Sequence, residues 1–187
     1  MIALTSLTAG RKLSKTIVDA KTTKSYPLVS KVTSKEHIID VDNDLEEFED
    51  AIRAVALSGG CLLKGPLTKH LENESRKGFC DRHSATRWMC IDVDGLMLPD
   101  VGVQQSGITQ KGLAKIAEQI IAQLPDEFHN TSYIAQASSS LGMKGNSVSL
   151  HLFFVLDAPF RPDSLKMYIQ SLNMDDGFFQ GRVGLSV

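Results

Sequence analysis

Two short patterns place reactive side chains at strand spacing. In Trp88-Met89-Cys90-Ile91-Asp92-Val93-Asp94-Gly95 an apolar run ends in two carboxylates at i and i+2. A strand alternates its faces residue by residue, so Asp92 and Asp94 share one side while Ile91 and Val93 point into a core. Carboxylates placed that close repel each other unless a cation or proton lies between them. A divalent ion whose shell is completed by waters and substrate phosphates resolves the conflict. Two solvated aspartates before a glycine turn are the simpler alternative. In the second pattern, within residues 147–156, Ser149 and His151 share a strand face. The loop before it, 138–146, is built of small residues and carries Ser140 and Lys144, so its exposed amides and ammonium suit an anion. A flexible hairpin connection would read the same way, and a strand histidine can be purely structural. If the two strands are neighbours, a metal pair, a phosphate-binding histidine and an anion loop meet the needs of a nucleoside triphosphate. A third carboxylate would complete a two-metal site. Met174-Asp175 offers one, with Asp176 and Asp157 as competitors; Asp157 fits better as a strand-terminal cap.

The elements that must carry these residues are legible from periodicity. Residues 88–94 form one strand. The other, 147–156, has Val148, Leu150, Leu152, Phe154 and Leu156 on one face and turns apolar on both, as a central covered strand does; Asp157-Ala158-Pro159 should end it. Shorter strands are expected at 37–41, 61–65 and 133–137. Leu45, Phe48, Ile52, Val55 and Ala56 recur at helical spacing between an Asp44 N-cap and a Ser58-Gly59-Gly60 stop. A second helix runs from about 109 to 124 with Leu113, Ile116, Ala117, Ile120, Ile121 and Leu124 on one face, and a third from about 162 to 172. Strands alternating with helices predict an α+β domain with mixed central sheets flanked by helices. Residues 1–35, rich in Lys, Ser and Thr, read as a basic, solvated arm ahead of a domain spanning 36–187.

The totals set the class. At 187 residues with 42% hydrophobic content, one domain with a proper core is expected. A formal net charge of −2 excludes a global basic field, so any nucleic-acid contact needs a local patch, for which Arg76, Lys77, Arg82 and Arg87 are the candidates. Three cysteines without tight spacing, and no signal-peptide pattern, predict a reducing, cytoplasmic setting, and no apolar run approaches the roughly 20 residues a membrane span needs. Zinc would have to use Cys80, His83, Cys90 and either His70 or Cys61; that set lacks a second close pair, and Cys90 fits better as a buried strand residue.

An apolar stretch ending in D-x-D, then S-x-H within a strand, then an apolar residue followed by Asp, resembles the archaeo-eukaryotic primase superfamily. The likeness is closest to the catalytic domains of phage and plasmid replicative primases, where a serine- and glycine-rich loop precedes the S-x-H strand, as 138–149 does here. It covers roughly residues 35–180. The resemblance implies an α/β unit joined to a half resembling an RNA-recognition fold, with the active site in the cleft between them. Asp92, Asp94 and Asp175 would bind two magnesium or manganese ions, and His151, supported by Ser149, would hold the phosphates of an incoming nucleotide, with Ser140 and Lys144 near them. Single-stranded DNA template, nucleoside triphosphates and a replicative helicase are the implied partners. The expected activity is DNA-template-dependent nucleotidyl transfer by a primase-polymerase. Family members commonly continue into a helicase or accessory region, so a chain ending at Val187 fits a piece of a longer replication protein.

Two other classes compete. A glycosyltransferase acting on a nucleotide-sugar would use Asp92 and Asp94 but give Ser149 and His151 no role. A replication-initiator domain with a decayed site would bind DNA without catalysis. An aspartyl phosphatase would want Thr or Ser soon after the second Asp, where Gly95-Leu96-Met97 stands, and an EF-hand starting at Asp92 would put Met97 and Val103 where glycine and an acid belong.

Overall fold

The computed structural model describes residues 1–13, 16–17, 23–24, 29–41, 45–81, 83–98, 108–142 and 147–175, with the backbone alone for 16–17, 23–24 and 172–175. The expected N-cap Asp44, and Arg82, Lys144 and Asp176, lie outside the described residues. Among the described residues the architecture is α+β, with two three-stranded antiparallel sheets and three α-helices.

The first sheet corrects the expectation of a solvated arm. Strand β1 (Ile2–Thr8) is its central strand, paired with β4 (Thr33–Ile39) on one side and β5 (Cys61–Leu63) on the other. Leu4 is fully buried, and Thr5 and Ser6 are buried with it. A central strand is covered on both faces, and the β-branched and small hydroxyl residues that made this segment look solvated fit that position. The boundary expected at 35/36 falls inside β4. Two-residue strands β2 (Thr16–Ile17) and β3 (Thr23–Lys24) pair with each other between β1 and β4.

Helix α1 (Glu46–Leu57) follows β4 and buries Phe48, Ile52 and Val55, with Glu46, Glu47 and Glu49 in the first turn where the helix dipole favours acids. It stops where expected: Gly59 takes φ +73°, and the Gly60 N–H donates to the Val55 carbonyl at 3.1 Å.

The second sheet has the order β6-β8-β7, formed by β6 (Thr86–Met97), β7 (Tyr133–Ala137) and β8 (Ser147–Phe160). The ladders are antiparallel. Strands β6 and β7 point the same way, but β8 sits between them, which is why the expected mixture of parallel and antiparallel pairing is not found among the described strands. Strand β8 runs past its expected end to Phe160. The ladder passes from Trp88–Val155 to Thr86–Phe160, leaving residues 156–159 in an irregular stretch. Pro159, with no N–H to give, is tolerated there.

The sheet is covered differently on its two faces. Helix α2 (Gln110–Ile121), capped by Thr109, whose Oγ1 accepts from the Gly112 N–H at 3.1 Å, and helix α3 (Pro162–Asp175) pack on one face. There Ile116, Ile120 and Ile169 meet Ile91, Val93, Leu150 and Leu152. On the other face Trp88, Cys90 and Phe153 meet Ile2, Leu4 and Ile39 of the first sheet and Phe48 of α1. Phe48 stands edge-on to Trp88 and Phe153 at 6.1 and 6.2 Å, and the Trp88 indole donates to the Ala3 carbonyl at 2.9 Å. Each aromatic buried in this seam contributes roughly 2 kcal/mol or more. No helix among the described residues is long and apolar enough to cross a membrane.

Candidate active site

Beyond the aromatic seam, the face shared by the two sheets turns polar. The antiparallel register of β6 and β8 sets Asp92 directly opposite His151 and Asp94 directly opposite Ser149. Both motifs therefore share one sheet face, on neighbouring strands, in matched rows. Residues opposite each other across a ladder have Cβ atoms about 5 Å apart, within reach of short side chains.

His151 Nε2 lies 3.4 Å from Asp92 Oδ1, and Nδ1 lies 3.3 Å from Oε1 of Gln136, which faces His151 from β7. Each ring nitrogen thus faces an oxygen; a neutral ring donates to one of them and a protonated ring to both. The Phe153 ring packs edge-on at 6.3 Å and limits the imidazole's rotation.

The second row holds Asp94. Gly95 takes φ +74°, and the β6–β8 register shifts between Asp94 and Leu96. A glycine in the left-handed region inside a strand marks a bulge, which turns the neighbouring side chain. The buried Ser149 hydroxyl accepts from the Gly95 N–H at 3.0 Å and donates to Asp94 Oδ1 at 3.0 Å. Ser149, expected to support the histidine, is instead engaged with Asp94 and fixes its carboxylate.

A residue without a role in the sequence reading completes the cluster. Lys64, one position past β5, reaches across from the first sheet and puts Nζ 3.8 Å from Asp92 Oδ2. Its ammonium is buried and makes no hydrogen bond among the described residues. Burial pushes the Asp92 carboxyl up, but the His151 hydrogen bond and the charges of Lys64 and His151 outweigh it and hold the carboxyl below its ordinary value. The signal for Lys64 was a lysine two positions after Leu62, hence on the same strand face; for Gln136 it was the alternation with Ile134.

The remaining candidates fall at different distances. The Ser138 N–H donates to the Ser149 carbonyl at 3.1 Å, which anchors the start of the serine loop beside the site, and Ser140 Oγ lies 3.2 Å from Ser138 Oγ. Asp175, expected after the third helix, is its last residue, because α3 continues past Leu172. Asp157 is exposed and lies eight residues along β8 from Ser149, roughly 25 Å at strand rise, too far to share a metal. Cys90 is buried in the aromatic seam, which pushes its thiol up to about 12 and makes it a core residue. Arg76 and Lys77 line a cavity of about 700 Å³ together with Leu63 and Gly65, which flank Lys64. The Arg87 guanidinium donates to the Leu156 carbonyl at 3.3 Å.

Among the described residues no group of three or more His, Cys, Asp or Glu side chains forms a ready-made metal cage. Magnesium does not require one, since it keeps several waters and binds through one or two carboxylates plus substrate phosphates. Asp92 and Asp94 fit that donor set, and the unbonded ammonium beside them fits a phosphate-bearing ligand. No protein-family model, no curated protein and no solved structure matches the chain.

Proposed function

We propose that this chain is the catalytic domain of a DNA-template-dependent nucleotidyltransferase of the primase-polymerase type, using magnesium or manganese. The observation that carries the reading is the register: Asp92 opposite His151 and Asp94 opposite Ser149 on one sheet face. A strand pair could have put the two motifs on opposite faces or out of row. Topology supports it as well. The order β6-α2-β7-β8-α3, with the first strand beside the third and both helices on one face, follows the ferredoxin-like pattern, which RNA-recognition folds share, as far as its second helix. The cluster occupies the face that α2 and α3 leave free, beyond the seam where the first sheet and α1 pack.

In the reaction the 3′-hydroxyl oxygen of one nucleotide attacks the α-phosphorus of the next. The bond to the bridging oxygen of the β-phosphate breaks, pyrophosphate leaves, and the hydroxyl proton passes to solvent. Divalent ions held by Asp92 and Asp94, with Asp175 as third carboxylate, would activate the attacking oxygen and neutralise the departing pyrophosphate. Asp94 is held in place by Ser149 and the Gly95 bulge. His151, steadied by Gln136 behind it, faces Asp92 with Nε2 and would leave that oxygen to the metal and donate to a phosphate oxygen instead. Ser140 and Lys144 belong to the loop anchored beside Ser149 and take the outer phosphates. The cations Arg76, Lys77, Arg82 and Arg87 supply the contact with a single-stranded template that the net charge does not. A replicative helicase is the fitting partner for such a domain.

The test is incorporation of labelled nucleotides on single-stranded DNA, with magnesium and separately with manganese, against an Asp92→Ala/Asp94→Ala control. Metal-dependent product in the wild type that the double variant lacks is the expected result. DNA binding with neither product nor metal-dependent triphosphate binding would leave the inactive initiator domain as the reading.

A further inference from the structure

Lys64 is the most unusual charge in the cleft. A buried ammonium is costly unless it is paired and its three donors are bonded. Here the Asp92 carboxylate stands 3.8 Å away, close enough to balance charge and too far to accept a hydrogen bond, and among the described residues Nζ has no other acceptor. The ammonium sits beside the carboxylate that, on the nucleotidyl-transfer reading, takes the metal. Nothing in the fold forces this. Lys64 follows a three-residue strand, and a Lys stem of four methylenes can carry its ammonium to water.

An ammonium at this place and a divalent ion on Asp92 oppose each other. Both claim the same carboxylate, and the cations repel across a partly buried cleft where screening is weak. A polyphosphate removes the conflict, because its oxygens accept the ammonium's donors and bridge the two positive charges. We propose that Lys64 is a stand-in counter-ion for Asp92 that gives way to a divalent metal only when a triphosphate arrives, so that metal and nucleotide bind as a coupled pair. This rests on the nucleotidyl-transfer reading and adds to it the reason why metal alone would bind weakly. Coupling between two ligands is reciprocal, so the nucleotide must tighten metal binding by the factor by which metal tightens nucleotide binding.

The experiment measures Mn²⁺ binding to the full chain by electron paramagnetic resonance and calorimetry, with and without the α,β-methylene analogue of dATP. It uses wild type, Lys64→Met, which keeps the stem and removes the charge, and Lys64→Arg, which keeps the charge. Circular dichroism melts confirm that each variant is folded. In the wild type the analogue should tighten Mn²⁺ binding by about tenfold or more. Lys64→Met should bind Mn²⁺ alone about tenfold more tightly and the analogue more weakly, with the coupling lost, while Lys64→Arg retains it. Wild type and Lys64→Met that bind both ligands with the same coupling would overturn the role of Lys64 and leave the nucleotidyl-transfer reading standing. Wild type that binds neither ligand overturns both.

Discussion

Asp92 is the most heavily engaged of the candidate site's residues. It meets His151 at 3.4 Å on one oxygen and Lys64 at 3.8 Å on the other. Burial pushes its carboxyl up, but the His151 hydrogen bond and the Lys64 ammonium outweigh it and hold the carboxyl below its ordinary value. The linkage has a definite sign. An acid whose folded value is depressed contributes stability that is fully present above its unfolded value, about 3.9, and that is lost as pH falls through the lower folded value. Asp92→Asn removes the carboxylate and leaves the Lys64 ammonium buried with no counter-charge, so the variant should be less stable near neutral pH. The gap between wild type and variant should then begin to close as pH falls below about 4, where the unfolded-state carboxyl protonates, and finish closing as pH falls through the lower folded value. Urea midpoints for both proteins, from about pH 7 down to about pH 2.5, measure it. A gap that stays constant over that range would show that the cations do not act on Asp92.

At the scale of the elements, the site depends on how β6 and β8 are held in register where β6 bulges. The Ser149 hydroxyl sits between the Gly95 N–H and Asp94, and is itself buried. Ser149→Ala leaves the amide without its acceptor and the carboxylate without its donor, a loss of about 1–3 kcal/mol. Faster amide exchange at Gly95 should accompany it, and an unchanged exchange rate would show that the ladder alone holds the bulge. The strands themselves were legible, since 147–156 is a long apolar alternation and 88–94 an apolar run that meets carboxylates. Their row-by-row match was not, because register between strands more than fifty residues apart depends on turns and packing that no local pattern encodes. Strand β1 was missed for another reason: Thr5 and Ser6 are buried, and beside the lysines that begin at Lys12 the segment looks solvated until a partner strand covers it. Lys64 lay in plain view, but its meaning comes from the second sheet.

At the scale of the whole molecule, the Lys64–Asp92 contact exists only while the two sheets stay together. Lys64 comes from one sheet and Asp92 from the other, so their distance is set by the seam of Phe48, Trp88 and Phe153 and by the indole bond to Ala3. Trp88 is the only tryptophan in the sequence, and its fluorescence reports on that seam, while far-ultraviolet circular dichroism reports on both sheets and all helices. If the seam binds the halves into one cooperative unit, the two signals should follow the same urea transition. Phe48 is fully buried, and Phe48→Ala should lower both midpoints together by the equivalent of about 3–5 kcal/mol. Fluorescence that changes before circular dichroism would mean that the sheets part while each remains folded. The Lys64–Asp92 pair would then belong to a closed state of a hinged molecule, and nucleotide binding would have to supply the energy of closure. Coincident transitions mean that the fold holds the site assembled before any ligand arrives, so on the proposed nucleotidyl-transfer reading the triphosphate's affinity would go to displacing Lys64 from Asp92 and not to assembling the site.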